Sequence, residues 1–290
     1  MIAAPAARRA AAALAALLFA VSCSSPKMTL EPSFVVDPKA RIVSLVPSMT
    51  EDLFAIGAGS HVVGVSSFTD YPPAAKRLPV VASFASVDTE RIVSLHATLC
   101  VGIEAQQRLA GDVERAGIPI ALLKDDSFED IFTNLEILGK LTGRTAQAQA
   151  LEARLRARTA TLVQRAKRRG RKPSVFVVLG VAPVFTIGRG SYIEHLIELA
   201  GGRSASSDVA QPYARYSAEA LVARQPDVII SDPDIRLSDV IGKPPWTSLR
   251  AVKQHHVYTL PDAAILERPG PRYNDGLAWL IATLDRAAQR

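Results

Sequence analysis

Residues 144–170, RTAQAQALEARLRARTATLVQRAKRRG, hold neither glycine nor proline before their last position, and Ala, Leu, Arg, Gln and Glu dominate them. These are strong helix formers. Leu151, Leu155, Leu162 and Ala166 recur at helical spacing, which predicts one long helix. Gly170 is suited to close it, and Pro173 follows where a helix cannot continue. A coiled-coil arm is the competing reading, but the stretch is too short and its apolar seam too ragged for one.

On either side of this helix the chain changes rhythm. Toward the amino terminus, Arg41 to Val46 is a β-branched run ending at Pro47, and Ser48-Met49-Thr50-Glu51 offers a capping box to a short helix that stops near Gly57 and Gly59. Val62 to Val65 reads as a strand, followed by the turn residues Asp70-Tyr71-Pro72-Pro73. Helical stretches at 89–95 and 106–116 then alternate with apolar strands at 99–102 and 118–123. Toward the carboxyl terminus a second alternation begins with the strand 174–179. It continues with a helix over 191–200 closed by Gly201-Gly202, a helix over 217–224, strands at 227–231 and 256–260, and a helix from about 274 to 288. Strands that are continuously apolar and alternate with helices imply a parallel sheet covered on both faces. The predicted fold is therefore α/β: two Rossmann-like lobes with central parallel sheets, residues 41–143 and 171–290, joined by one long backbone helix at 144–170. A cleft between two such lobes is a natural ligand site, and one rigid connection limits its closure.

The first residues read as a secretory signal. Arg8 and Arg9 precede an uncharged apolar run from Ala10 to Ser22, too short to span a bilayer. It ends in Ala20-Val21-Ser22-Cys23, which resembles the bacterial lipobox, although Ala20 stands where leucine is common. Residues 1–22 are thus predicted to be a signal peptide, Cys23 the lipidated residue, and 23–40 an aperiodic tether that holds a soluble domain at a membrane face. A plain cleaved signal is the alternative. Cys100 is then the remaining cysteine, in the apolar run Leu99-Cys100-Val101, where a buried, inert thiol is expected and no disulfide is possible.

The formal charge of +6 falls to +4 when Arg8 and Arg9 are removed with the signal. Much of the excess lies in Arg165, Lys167, Arg168, Arg169, Arg171 and Lys172. Without interleaved aromatics this cluster does not read as a nucleic-acid site. It reads as a solvated helix end, where cations are favoured.

Four segments carry a family resemblance. Val63-Gly64-Val65-Ser66-Ser67-Phe68-Thr69-Asp70-Tyr71-Pro72-Pro73 is the most specific; Thr89 to Leu95, Pro183-Val184-Phe185-Thr186-Ile187-Gly188 and Glu267-Arg268-Pro269-Gly270-Pro271-Arg272 support it. Through them residues 41–288 resemble the helical-backbone (class III) substrate-binding proteins of ABC importers, and most closely the periplasmic vitamin B12-binding proteins. The resemblance implies an extracytoplasmic protein, lipid-anchored on the periplasmic side or outer face of the cell membrane. It would act as a monomer without catalysis or an intrinsic cofactor, capturing cobalamin or a related corrinoid and delivering it to an ABC permease and its ATPase. It also implies ligand-contacting positions at Phe68, Phe84, Phe185, Tyr213, Ala264 and Arg268. Ile103 and Ala264 depart from the family's tryptophan and aspartate, which reduces the aromatic and acidic content of the cleft; Asp262 is near enough in sequence to supply a carboxylate. Glu90 and Glu219 match the glutamates that relatives present to transporter arginines. Either alone reads equally as a first-turn glutamate favoured by the helix dipole. One per lobe points to docking, since exposed carboxylates can align a protein over a basic surface.

Other classes fit less well. The histidines His61, His96, His195, His255 and His256 are scattered, and no nucleophile elbow, phosphate loop or dinucleotide fingerprint occurs. Gly188-Arg189-Gly190-Ser191 could seat an anion, but a structural helix cap is the simpler account. A metal receptor would need several converging ligands, and the adjacent His255 and His256 should point to opposite faces. A ferric-siderophore or haem-binding component of an ABC importer is the main alternative. Anionic chelates call for cleft arginines and haem iron for an axial ligand, roles open to Arg215, Tyr216 or Tyr71. Trp246 is expected to pack beneath a loop.

Overall fold

The switch from short apolar runs to helices described above builds two parallel sheets in the computed structural model, which describes residues 39–289. The expected signal peptide, Cys23 and the tether as far as residue 38 lie outside the described residues.

The first lobe contains β1 (Ile42–Ser44), α1 (Pro47–Ala55), β2 (Val62–Ser66), β3 (Val80–Ala82), α2 (Thr89–Ser94), β4 (Leu99–Ile103), α3 (Gln107–Arg115), β5 (Ile120–Leu123) and α4 (Asp130–Leu141). Its five strands form one parallel sheet in the order β3-β2-β1-β4-β5. The order reverses between β1 and β4, and in open parallel sheets the crevice beyond the carboxyl ends at such a point is the usual ligand site. β1 and β4 are buried along their whole length, which explains why they read as uninterrupted apolar runs. Cys100 is buried in β4 and its thiol is pushed up to about 12 by burial.

α5 (Thr145–Lys167) is the long helix. Its stripe of Ala148, Leu151, Leu155 and Ala166 is buried, with Leu162 half-buried beside it. α5 packs on α4 of the first lobe and on α11 (Tyr273–Ala288) of the second. A single apolar cluster therefore runs from Ile42 and Val101 through Leu138 and Leu155 to Val177, Val228 and Leu284. Polar ties reinforce it: the Asn274 amide donates to the Leu155 carbonyl at 3.0 Å, and Arg158 pairs with Asp275 at 2.8 Å.

The second lobe adds β6 (Ser174–Val178), β7 (Gly180–Val181), β8 (Val184–Ile187), α6 (Tyr192–Leu199), β9 (Arg203–Ser204), β10 (Tyr213–Arg215), α7 (Ala218–Arg224), β11 (Val228–Ser231), α8 (Ser238–Ile241), α9 (Arg250–Lys253), β12 (Val257–Thr259) and α10 (Ala264–Glu267). Its parallel sheet has the order β12-β11-β6-β9. A separate antiparallel sheet, β10-β8-β7, grows from the carboxyl end of β6. Gly188 permits it, because a Cβ there would lie 2.2 Å from the Gln211 carbonyl oxygen.

Several local expectations are corrected. The capping box at Ser48 to Glu51 does not form: the helix begins at Pro47 with Val46 as N-cap and no side-chain cap bond. Pro47 is pre-set for the first helical position, which makes Val46 the N-cap and places Ser48 and Glu51 inside the helix, leaving Glu51 to other partners. Arg169 is not part of a solvated basic end. Its side chain is buried, pairs with Asp285, and donates to the Ala200 carbonyl at the end of α6. Tyr216 is buried against Phe176 with its hydroxyl on Asp208, away from any ligand role. Trp246 and His256 are buried. Ser191 caps α6 by accepting from the Glu194 amide at 3.1 Å.

Candidate ligand cleft

The carboxyl ends of the two parallel sheets are drawn toward each other by side chains that span more than two hundred residues of sequence. Glu51, on α1 directly after β1, has a side chain only 1% exposed. Arg272 donates to both its oxygens, Nε to Oε2 at 2.7 Å and Nη2 to Oε1 at 2.8 Å, and Arg268 Nη1 reaches Oε1 at 3.2 Å. Burying a carboxyl that deeply is costly without such pairing. Its neighbour Asp52 is fully buried with no hydrogen-bond partner among the described residues, and burial, then Glu51, holds its carboxyl well above the usual range.

The same arginines continue to the loops. Arg268 donates from Nη1 to Asp70 at 2.5 Å and from Nη2 to the Phe68 carbonyl at 2.9 Å. Burial pushes the Asp70 carboxyl up, but Arg268 outweighs it and the net shift is downward. Arg272 donates to Asp262 at 2.9 Å and lies 4.3 Å over the Tyr71 ring. Asp262 in turn accepts from the Ala264 amide at 2.9 Å.

Large aromatic side chains are exposed on both lobes. Phe68 follows β2 and Phe84 follows β3; they are 85% and 66% exposed. Phe185 on β8 and Tyr213 on β10 are 36% and 43% exposed. Phe185 pairs with Arg215 across the β8–β10 ladder, and Tyr213 lies two residues from Arg215, so the three share one face of the small sheet. Burial, then Asp125, Glu267 and Asp126, push the Tyr213 phenol up to about 12. Asp125 itself is raised to about 6 by burial and by Asp126 and Asp130. Glu267 is raised to about 8 by burial and by Asp232 beside it. Ala264 is buried in α10, and Ile103, at the end of β4, is buried as well.

The structure accordingly brings Phe68, Arg268, Asp70 and Glu51 into one connected group, sets Phe185 and Tyr213 on one sheet, and buries Ala264. Phe84 stands exposed on the first lobe's edge, in a turn closed by the Ser83 and Ser86 hydroxyls. Glu90 and Glu219 are exposed, each the second residue of its helix, behind the N-caps Asp88 and Ser217. The backbone amide and the Ser217 hydroxyl lower the Glu219 carboxyl. Among the described residues no group of three His, Cys, Asp or Glu side chains could hold a metal ion, and no helix is long and apolar enough to cross a membrane. Sequence reasoning missed Glu51, Arg272, Asp125 and Glu267. The signal for Glu51 was a charged residue between the core positions Met49 and Leu53; Arg272 carried no comparable local signal.

Comparison with known proteins places this cleft in context. The chain is 27% identical over 256 residues to the ABC transporter substrate-binding lipoprotein YvrC of Bacillus subtilis, covering 86% of this chain and 80% of that protein. Its structure is similar to that of the apo periplasmic haem-binding protein RhuT from Roseiflexus sp. RS-1, with a TM-score of 0.79 at 30% identity, covering 87% of this chain and all of that one. It is also similar to the periplasmic vitamin B12-binding protein BtuF of Vibrio cholerae, with a TM-score of 0.75 at 27% identity, covering 87% and 99%. Residues 42–264 match the periplasmic binding protein family, from the first strand of the first lobe to the helix that opens onto the bridging arginines, and the chain belongs to that family.

Proposed function

We propose that this chain is the extracytoplasmic substrate-binding component of an ABC importer and that its cargo is cobalamin or a related corrinoid. The observation that carries the reading is the set of exposed aromatic rings at the carboxyl edges of both lobes: Phe68 and Phe84 on one, Phe185 and Tyr213 on the other. A broad, flat, largely apolar macrocycle with amide arms is matched by aromatic faces and a few polar groups. The lobes 41–143 and 171–290 would clamp it with little movement, because one continuous core passes through α5. Lipidation at Cys23 would tether the protein to the membrane, and Glu90 and Glu219 would dock one lobe each on the permease. Kinship with YvrC supports the role, and kinship with the vitamin B12-binding protein BtuF supports the cargo.

Haem or a ferric siderophore is the second reading, favoured by Arg215, an exposed guanidinium on the face that carries Phe185, and by the likeness to RhuT. One feature weighs against it. Arg268 and Arg272 are already engaged by carboxylates, so they do not offer themselves to an anionic ligand.

Calorimetric titration of the purified chain with cyanocobalamin, haem and a ferric siderophore tests the choice. Saturable one-to-one binding of cyanocobalamin is expected, weakened roughly tenfold by Phe68→Ala or by Phe185→Ala, as fits about 1 kcal/mol or more per aromatic contact. Heats from haem or siderophore with none from cyanocobalamin would keep the importer and replace the cargo.

A further inference from the structure

Phe68 combines two features that do not arise by default. Its ring is 85% exposed, and its backbone has φ 63°, in the left-handed region. A bulky side chain there is strained, so the surroundings must hold it. Within the first lobe the Ser67 amide donates to the Ala82 carbonyl at 2.7 Å, and the Ser66 and Thr69 hydroxyls are 3.3 Å apart. These bonds fix the residues before and after Phe68 but not Phe68 itself.

The bond on Phe68 comes from the other lobe. Arg268 donates to the Phe68 carbonyl and to the Asp70 carboxylate, gripping the turn on both sides of Thr69. A planar guanidinium can make both contacts at once, whereas an ammonium cannot match that fork. Arg268 is itself fixed by Glu51, which Arg272 also holds. Both its Nη atoms are therefore directed at protein groups, and its side chain is only 20% exposed.

We infer that Arg268 is a positioning residue: it holds the Phe68 turn in its left-handed form across the gap between the lobes, and it contributes to ligand affinity through Phe68 rather than by contact with the ligand. Glu51 and Arg272 are the anchor of this latch and Asp70 its second grip. The affinity part of this inference rests on the corrinoid reading; the structural part does not.

Two measurements on the purified chain separate them. Amide hydrogen exchange of residues 67–70 is expected to quicken at least about tenfold in Arg268→Ala and in Asp70→Ala, while the core strands stay protected. Asp70→Ala leaves the Arg268–Glu51 pair intact, so it serves if Arg268→Ala does not fold. Cyanocobalamin titration then closes a double-mutant cycle with Phe68→Ala. Arg268→Ala should weaken binding roughly tenfold in the native background and less than about twofold once Phe68 is gone, the coupling expected of residues acting together. Unchanged exchange in the turn overturns the inference, as do equal losses in both backgrounds, which would mean that Arg268 touches the ligand itself. If the native chain binds no cyanocobalamin, the cargo assignment fails, and the exchange measurement alone upholds or overturns the latch.

Discussion

Glu267 is half-buried beside Asp232, and its proton is retained up to about 8 where an ordinary glutamate loses it near 4.5. The folded chain thus binds this proton more tightly than the unfolded chain, so the group favours folding below about 4.5 and that advantage drains away as pH rises to about 8. Glu267→Gln cannot ionise. The thermal midpoint of the native chain should fall relative to this variant between pH 5 and 8, and the difference should level off above. Parallel curves for the two proteins would contradict the placement of Glu267. At this scale the sequence was only partly legible. The exposed aromatics were readable because the motif around Phe68 and the segment around Phe185 are local. The Glu51–Arg268–Arg272 group was not, because its members lie 217 and 221 positions apart and nothing in either segment names the other. Ser48 to Glu51 even matched a local motif that Pro47 pre-empts.

Among the elements, the meeting of α10 with α11 sets the direction of both bridging arginines. Gly276 of α11 lies so close to α10 that a Cβ would stand 2.1 Å from the Ile265 carbonyl oxygen. Alanine is the better helix former by about 1 kcal/mol, but a clash with backbone is not relieved by a rotamer change. Gly276→Ala should therefore destabilise the chain by about 2 kcal/mol, as over-packing does, read as a lower urea midpoint at unchanged slope. A midpoint that rises would show that propensity outweighs the contact. The long helix and the buried parallel strands were readable because their signals are extended and unmixed. The β7–β8–β10 sheet was not. Its strands are two to four residues long, and their pairing depends on the Gly188 approach rather than on a repeating pattern.

Across the whole molecule, the core that runs through α5 makes the two lobes one body. Recognition of a cargo and recognition of a transporter are then separable. Glu90 and Glu219 are exposed on α2 and α7, one per lobe. Replacing both by arginine should leave cyanocobalamin affinity within about twofold, in line with the small effect of distant surface charges. It should abolish uptake of labelled cobalamin by cells that depend on this protein, because the variant would present repulsive charge to a basic mouth. Undiminished uptake would remove the docking role from these residues.

A crystal structure of the chain with cyanocobalamin bound decides whether the aromatic edges hold the cargo. The corrin ring is expected between the Phe68 and Phe84 edge and the Phe185 and Tyr213 sheet, with Arg268 still on Asp70 and the Phe68 carbonyl. A ligand seated elsewhere, for instance in the groove lined by Phe128, Phe132, Arg156 and Tyr273 beside α5, would contradict it.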